Sequence, residues 1–146
     1  MHFFKHSRIT AILCVATLTL ATVGAVNAQV KKGKSRPAKT SQLMKGLIKP
    51  NCDALKKGLD AGPEDDKAWA ALGVNASILN EGSYLLMDDG RCPDGVWAES
   101  ASKTLRKGSA DLLAAIESKD LSAAKASFGS MTKSCGACHD AHKEKK

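Results

Sequence analysis

From residue 41 onward, apolar residues recur at intervals of three or four, the spacing of one helix face, and period-two alternation is nearly absent. Four helical stretches follow from that spacing. The first, over 43–59, carries Leu43, Met44, Leu47, Ile48, Leu55 and Leu59, and stops at Asp60-Ala61-Gly62. Pro50 interrupts it. Proline costs a hydrogen bond inside a helix and nothing in its first turn, so Pro50 is expected to open this helix and to leave 41–49 as a separate capping segment, the alternative being a helix that runs through with a kink and carries Cys52 deeper into the bundle. A second helix begins near Pro63, where Glu64, Asp65 and Asp66 favour a positive N-terminal end. Its stripe is Trp69, Leu72, Ala76 and Leu79, fading near Met87.

Residues 88–95, Asp-Asp-Gly-Arg-Cys-Pro-Asp-Gly, are dense in turn formers and read as a loop. The third helix, over 96–118, lines up Trp97, Ala101, Leu105, Leu112 and Ile116. Asp120 suits the N-cap of a fourth, on which Ala124, Phe128, Met131, Cys135, Cys138 and His142 share one stripe. Four amphipathic helices joined by short connections predict an all-α, antiparallel four-helix bundle over 41–146. In that topology the end of helix four lies beside the start of helix one and the 88–95 loop.

The stretch before the bundle has two parts. Residues 1–28 have a basic start with Lys5 and Arg8, an apolar run over 9–26 and a small-residue cleavage site at Val26-Asn27-Ala28, the pattern of a cleaved secretory signal peptide. The alternative is an uncleaved anchor, but Thr10, Thr17, Thr19 and Thr22 dilute the run. Residues 29–40, with a basic run from Lys31 to Lys39, are expected to be a disordered, solvated tail. Losing Lys5 and Arg8 with the signal lowers the formal charge from +7 to +5. That excess suits a protein that meets acidic partners and is too diffuse for nucleic-acid binding.

Aromatic residues make up only 4% of the chain, too few for a conventional core of this size. Cys135-Gly136-Ala137-Cys138-His139 accounts for the shortfall, because C-x-x-C-H is the attachment sequence of c-type haem. Each thiol adds to a haem vinyl group and the histidine offers a neutral imidazole nitrogen to the iron. On a helix, Cys135 and Cys138 share a face and His139 lies one turn past Cys135, so one covalent haem c is expected at that end of the bundle. A thioredoxin-like pair would need a βαβ setting, and a zinc site would need closely spaced further ligands; neither is seen. Export agrees with the motif, since bacterial c-type haem is attached outside the cytoplasmic membrane, and a periplasmic location is expected.

With residues 41–143 laid out in this way, the chain resembles the class II c-type cytochromes, the cytochrome c′-like group of four-helix bundles with haem near the C-terminus. The specific part is 135–143. Cys138-His139-Asp140-Ala141-His142-Lys143 keeps that group's C-H-x-x-aromatic-basic spacing, with His142 in place of the usual aromatic. The chain is also similar to small exported haem proteins ending in C-x-x-C-H-x-x-H-[KR]. The resemblance implies that Lys143 sits near the proximal imidazole. It further implies a distal residue from helix one, with Met44 the best match and Leu43 or Leu47 the alternatives.

Other residues are weighed on chemistry alone. Cys52 and Cys92 remain after the haem pair is counted, and in an oxidising compartment they are expected to form a disulfide, the alternative being two separate buried thiols. His142 shares a helix with His139 and cannot reach the opposite haem face, so bis-histidine ligation within the chain is excluded. Trp69 and Trp97 are read as core or haem-packing residues, and Tyr84 as a propionate donor or a helix cap. The leading expectation is an exported monohaem cytochrome exchanging single electrons with redox partner proteins, without substrate turnover. The alternative is a haem protein that binds nitric oxide or carbon monoxide at an open sixth position. Homodimers are common in the group it resembles, though no exposed stripe marks an interface.

Overall fold

A computed structural model describes residues 32–143, the side chain of Ser134 excepted. The signal sequence expected over 1–28 lies outside the described residues. Four helices form an all-α bundle: α1 over 40–61, α2 over Asp66–Met87, α3 over 95–117 and α4 over Leu121–His142. Helix α2 packs on α1 and α3, α3 on α4, and α4 returns to α1. The core is one cluster drawn from all four, with Leu55 and Leu59 from α1, Leu72, Ala76 and Leu79 from α2, Trp97, Leu105 and Leu112 from α3, and Ala124 and Met131 from α4. Among the described residues no helix is long and apolar enough to cross a membrane.

Three aspartates start three of the helices. Asp65, Asp94 and Asp120 accept the N–H of Ala68, Trp97 and Ala123 at 2.7, 2.9 and 2.9 Å. Each satisfies a donor that the first turn leaves without an intrahelical partner. Asp65 therefore places the start of α2 at Asp66, and Pro63 stands before the helix rather than in its first turn. Gly62, at φ 79°, ends α1 in the left-handed region.

Pro50 does not divide α1. Thr40–Leu43 leads into a π-helical turn, Met44–Ile48, and then into Lys49–Ala61 without leaving helical backbone angles. The N–H of Lys49 bonds Met44 O, five residues back, so the helix widens immediately before the proline ring that a regular turn would crowd. Pro50 does sit in the first turn of an α-helical segment, as expected. The residues before it continue the same helix, which corrects the expectation of a separate cap over 41–49.

That continuity also corrects the expected Cys52–Cys92 bridge, because both cysteines are free. Cys52 is carried onto the inner face of α1, whereas Cys92 stays in the α2–α3 loop and donates its thiol to Asp94 O at 3.4 Å. A second π-helical segment, Glu99–Leu105, lies in α3, with the N–H of Arg106 on Ala101 O. Here the hydroxyls of Ser102 and Thr104 take the carbonyls of Ala98 and Glu99, the kind of back-bonding that bends helices.

Residues 32–39 are not a free tail, a further correction. They fold back on the α2–α3 loop, where the Asp89 carboxylate accepts the N–H of Arg36 and the N–H and hydroxyl of Ser35, at 2.8–2.9 Å for the shortest of each. Arg91, 1% exposed, donates Nη2 to Ala38 O at 3.1 Å beneath this strap. Tyr84 is half exposed and stacks under Arg106, 3.6 Å from the guanidinium carbon, which places it away from the motif-bearing cavity.

Candidate haem site

A cavity of about 500 Å3 opens at the bundle end where α1 begins and α4 finishes. Its volume lies within the ordinary range for ligand pockets. Its floor is apolar: Leu86, Trp97, Ala101 and Leu105 close it from α2 and α3. Helix α4 supplies Cys135, Cys138 and His139 to one wall, as the helical spacing of the motif predicts. Helix α1 supplies Met44, Ile48 and Cys52, successive turns of one face, with Lys45, Lys49 and Asp53 beside them toward solvent. Both π-helical segments line it, in keeping with the association of such turns with functional sites.

Burial sets the protonation of the motif. Desolvation pushes the Cys138 thiol up to about 11, helped by the neighbouring Cys135 and Asp94 and opposed by a hydrogen bond with the Ser100 hydroxyl. Burial likewise raises Cys135, whose thiol donates to Met131 O at 3.7 Å. His139 moves the other way, lowered by burial and then by the charge of Lys143, with Asp140 opposing. Both of the first two causes favour the neutral imidazole, the form that binds a metal. Lys143 shares the cavity lining with His139 and is close enough for its charge to act on the imidazole.

Met44 is at the cavity, whereas Leu43 and Leu47 are not among its lining. Met131 is buried in the core against Gly108. Trp97 belongs to both the core and the cavity; Trp69 packs only on the core. Cys52, Ser100, Lys45 and Lys49 were not singled out for this site from the sequence. Ser100 could have been, since it follows Trp97 by three residues on the α3 face. Cys52 was hidden by its assignment to a bridge.

The residues fit a covalently held porphyrin: two thiols and a neutral-leaning imidazole share one wall, the floor is apolar, and Lys45, Lys49 and Lys143 can face carboxylates at the mouth. Among the described residues no three His, Cys, Asp or Glu side chains are placed to hold a metal ion, so the zinc alternative has no supporting geometry. The pairing of Lys32 with Lys39 is an isolated bridge, and no βαβ setting surrounds the two cysteines.

Residues 91–143, which run from the α2–α3 loop to the end of α4, match the family model described as Cytochrome C'. No curated protein and no solved structure gave a match.

Proposed function

We propose that this chain, a cytochrome c′-like class II c-type cytochrome in its bundle and over residues 91–143, is an exported monohaem protein that carries single electrons. The observation that carries the reading is the grouping of Cys135, Cys138 and His139 on one wall of an apolar cavity. Haem supplies the one-electron couple of its iron when bound. Cys135 and Cys138 would hold it through thioether bonds, each thiol adding its sulfur and hydrogen across a vinyl double bond. His139 would hold the iron through its neutral imidazole, a form that burial and the positive charge of Lys143 favour. Leu86, Trp97, Ala101 and Leu105 exclude water from the buried side. Lys45, Lys49 and Lys143 leave the mouth positive for an acidic redox partner. The sequence pattern of residues 1–28 supports export to the periplasm.

A second reading, reversible binding of a diatomic gas, is favoured by the apolar Met44 and Ile48 on the α1 wall. Peroxidase-like turnover is not proposed, because the other histidine of residues 29–146, His142, is buried against Trp97 rather than free to shuttle protons.

The test is the mass and the optical spectrum of the matured protein. One haem retained after denaturation is expected, with loss of covalent haem in the C135A/C138A double variant. A colourless product with the mass of the bare polypeptide overturns the proposal. For the reduced haem protein, a low-spin spectrum unmoved by carbon monoxide supports electron transfer, and a readily formed carbonyl supports gas binding.

A further inference from the structure

His142 lies in the motif-bearing turn and has no task in this reading. Its side chain is 6% exposed, and its Nε2 is buried without an aligned hydrogen bond. Asp94 Oδ1 lies 3.3 Å from that nitrogen. The ring meets Trp97 edge-on, centroids 5.4 Å apart at 72°. Trp97 is fixed in turn by its indole N–H on Leu86 O at 2.8 Å.

Asp94 is held in place as well, although its side chain is 48% exposed. The same Oδ1 accepts the N–H of Trp97 at 2.9 Å as the N-cap of α3. The pair therefore joins the last turn of α4 to the first turn of α3, behind the wall formed by Trp97 and Cys138. The carboxylate's field reaches that wall, since Asp94 contributes to raising the Cys138 thiol. An aromatic ring without nitrogen would fill the space against Trp97 as well. Burying an imidazole nitrogen instead carries a desolvation cost, which the facing carboxylate offsets.

We propose that His142 is a positioning residue that raises the reduction potential of the bound haem by pairing with Asp94 and shielding its carboxylate from the iron. The inference rests on the proposed haem function. A carboxylate whose field reaches the cavity wall would, if unshielded, stabilise the ferric state of a haem held there, which carries the extra positive charge, so loss of His142 lowers the potential.

The test uses haem-loaded protein carrying H142F, D94N or both, with spectroelectrochemical titration and thermal melting of each. Phenylalanine keeps a ring against Trp97, and asparagine caps a helix about as well as aspartate, so both variants retain the packing. In H142F the oxidised-to-reduced ratio at a fixed poise is expected to rise about threefold or more. Adding D94N is expected to return it to the parent value, which a merely structural role for His142 would not do. An unchanged potential in haem-bearing H142F overturns the inference, as does a shift that persists in the double variant. Either result leaves haem attachment itself intact, whereas failure of the parent chain to hold haem overturns the functional reading.

Discussion

Cys138 shows how far side-chain identity and local spacing reach, and where they stop. C-x-x-C-H on a helix places two sulfurs and an imidazole on adjoining faces whatever surrounds them, so the motif was legible before the fold. Its burial was not. With the thiol held up to about 11 rather than the ordinary 9.0, the haem-free chain has roughly a hundredfold less thiolate at Cys138 at pH 8. Alkylation of Cys138 by iodoacetamide, followed by peptide mass spectrometry, is expected to be slower by that order and to accelerate up to about pH 11. A rate matching that of an unstructured cysteine would contradict the burial. Cys52 teaches the opposite lesson. Counting cysteines suggested a partner for it, but the side of the helix on which it emerges depends on how the chain passes Pro50.

Helices were the most readable feature, and their irregularities the least. Apolar spacing located all four, and Asp120 was recognisable as a cap because capping is settled within four residues. The π-helical turns at Met44–Ile48 and Glu99–Leu105 are invisible to a 3.6-residue count, yet each sets which side chains enter the cavity. Close approach of helices is similarly non-local. A Cβ on Gly108 would stand 2.9 Å from the Cβ of Met131 and 3.3 Å from its Cα, so α3 and α4 meet there nearly backbone to backbone. Gly108→Ala is expected to destabilise the fold by about 1–3 kcal/mol, despite alanine's better helix propensity, because the Met131 backbone cannot yield as a side-chain tip can. Equilibrium denaturation measures this, and a gain in stability would show that the two helices separate without cost.

The fold of the entire chain adds the strap over 32–39, which composition alone described as a basic tail. Asp89 reorganises it. The N–H of Arg36 and then that of Ser35, with its hydroxyl and the charge of Arg91, hold the carboxyl down to about 2, against the opposing effect of desolvation. A carboxylate with a depressed pKa contributes stability above its unfolded value of 3.8 and loses it as the pH falls toward about 2. Protection of the Ser35 and Arg36 amides from hydrogen exchange, corrected for intrinsic rates, should therefore persist at pH 5 and disappear across that interval. Asp89→Asn should lose much of it already at neutral pH. Equal protection in the variant would mean that Arg91 and Ala38 dock the strap unaided.

Order along the polypeptide was enough to establish four amphipathic helices, the Asp120 cap and the chemistry of 135–139, since each of these is decided among residues within about one turn of each other. Packing alone placed Cys52 in the cavity rather than in a bridge and laid the strap across the 88–91 loop. It also set His142 against Asp94. Those outcomes depend on the register of one helix against another and on where burial removes water, and both arise from contacts between residues some fifty or more positions apart.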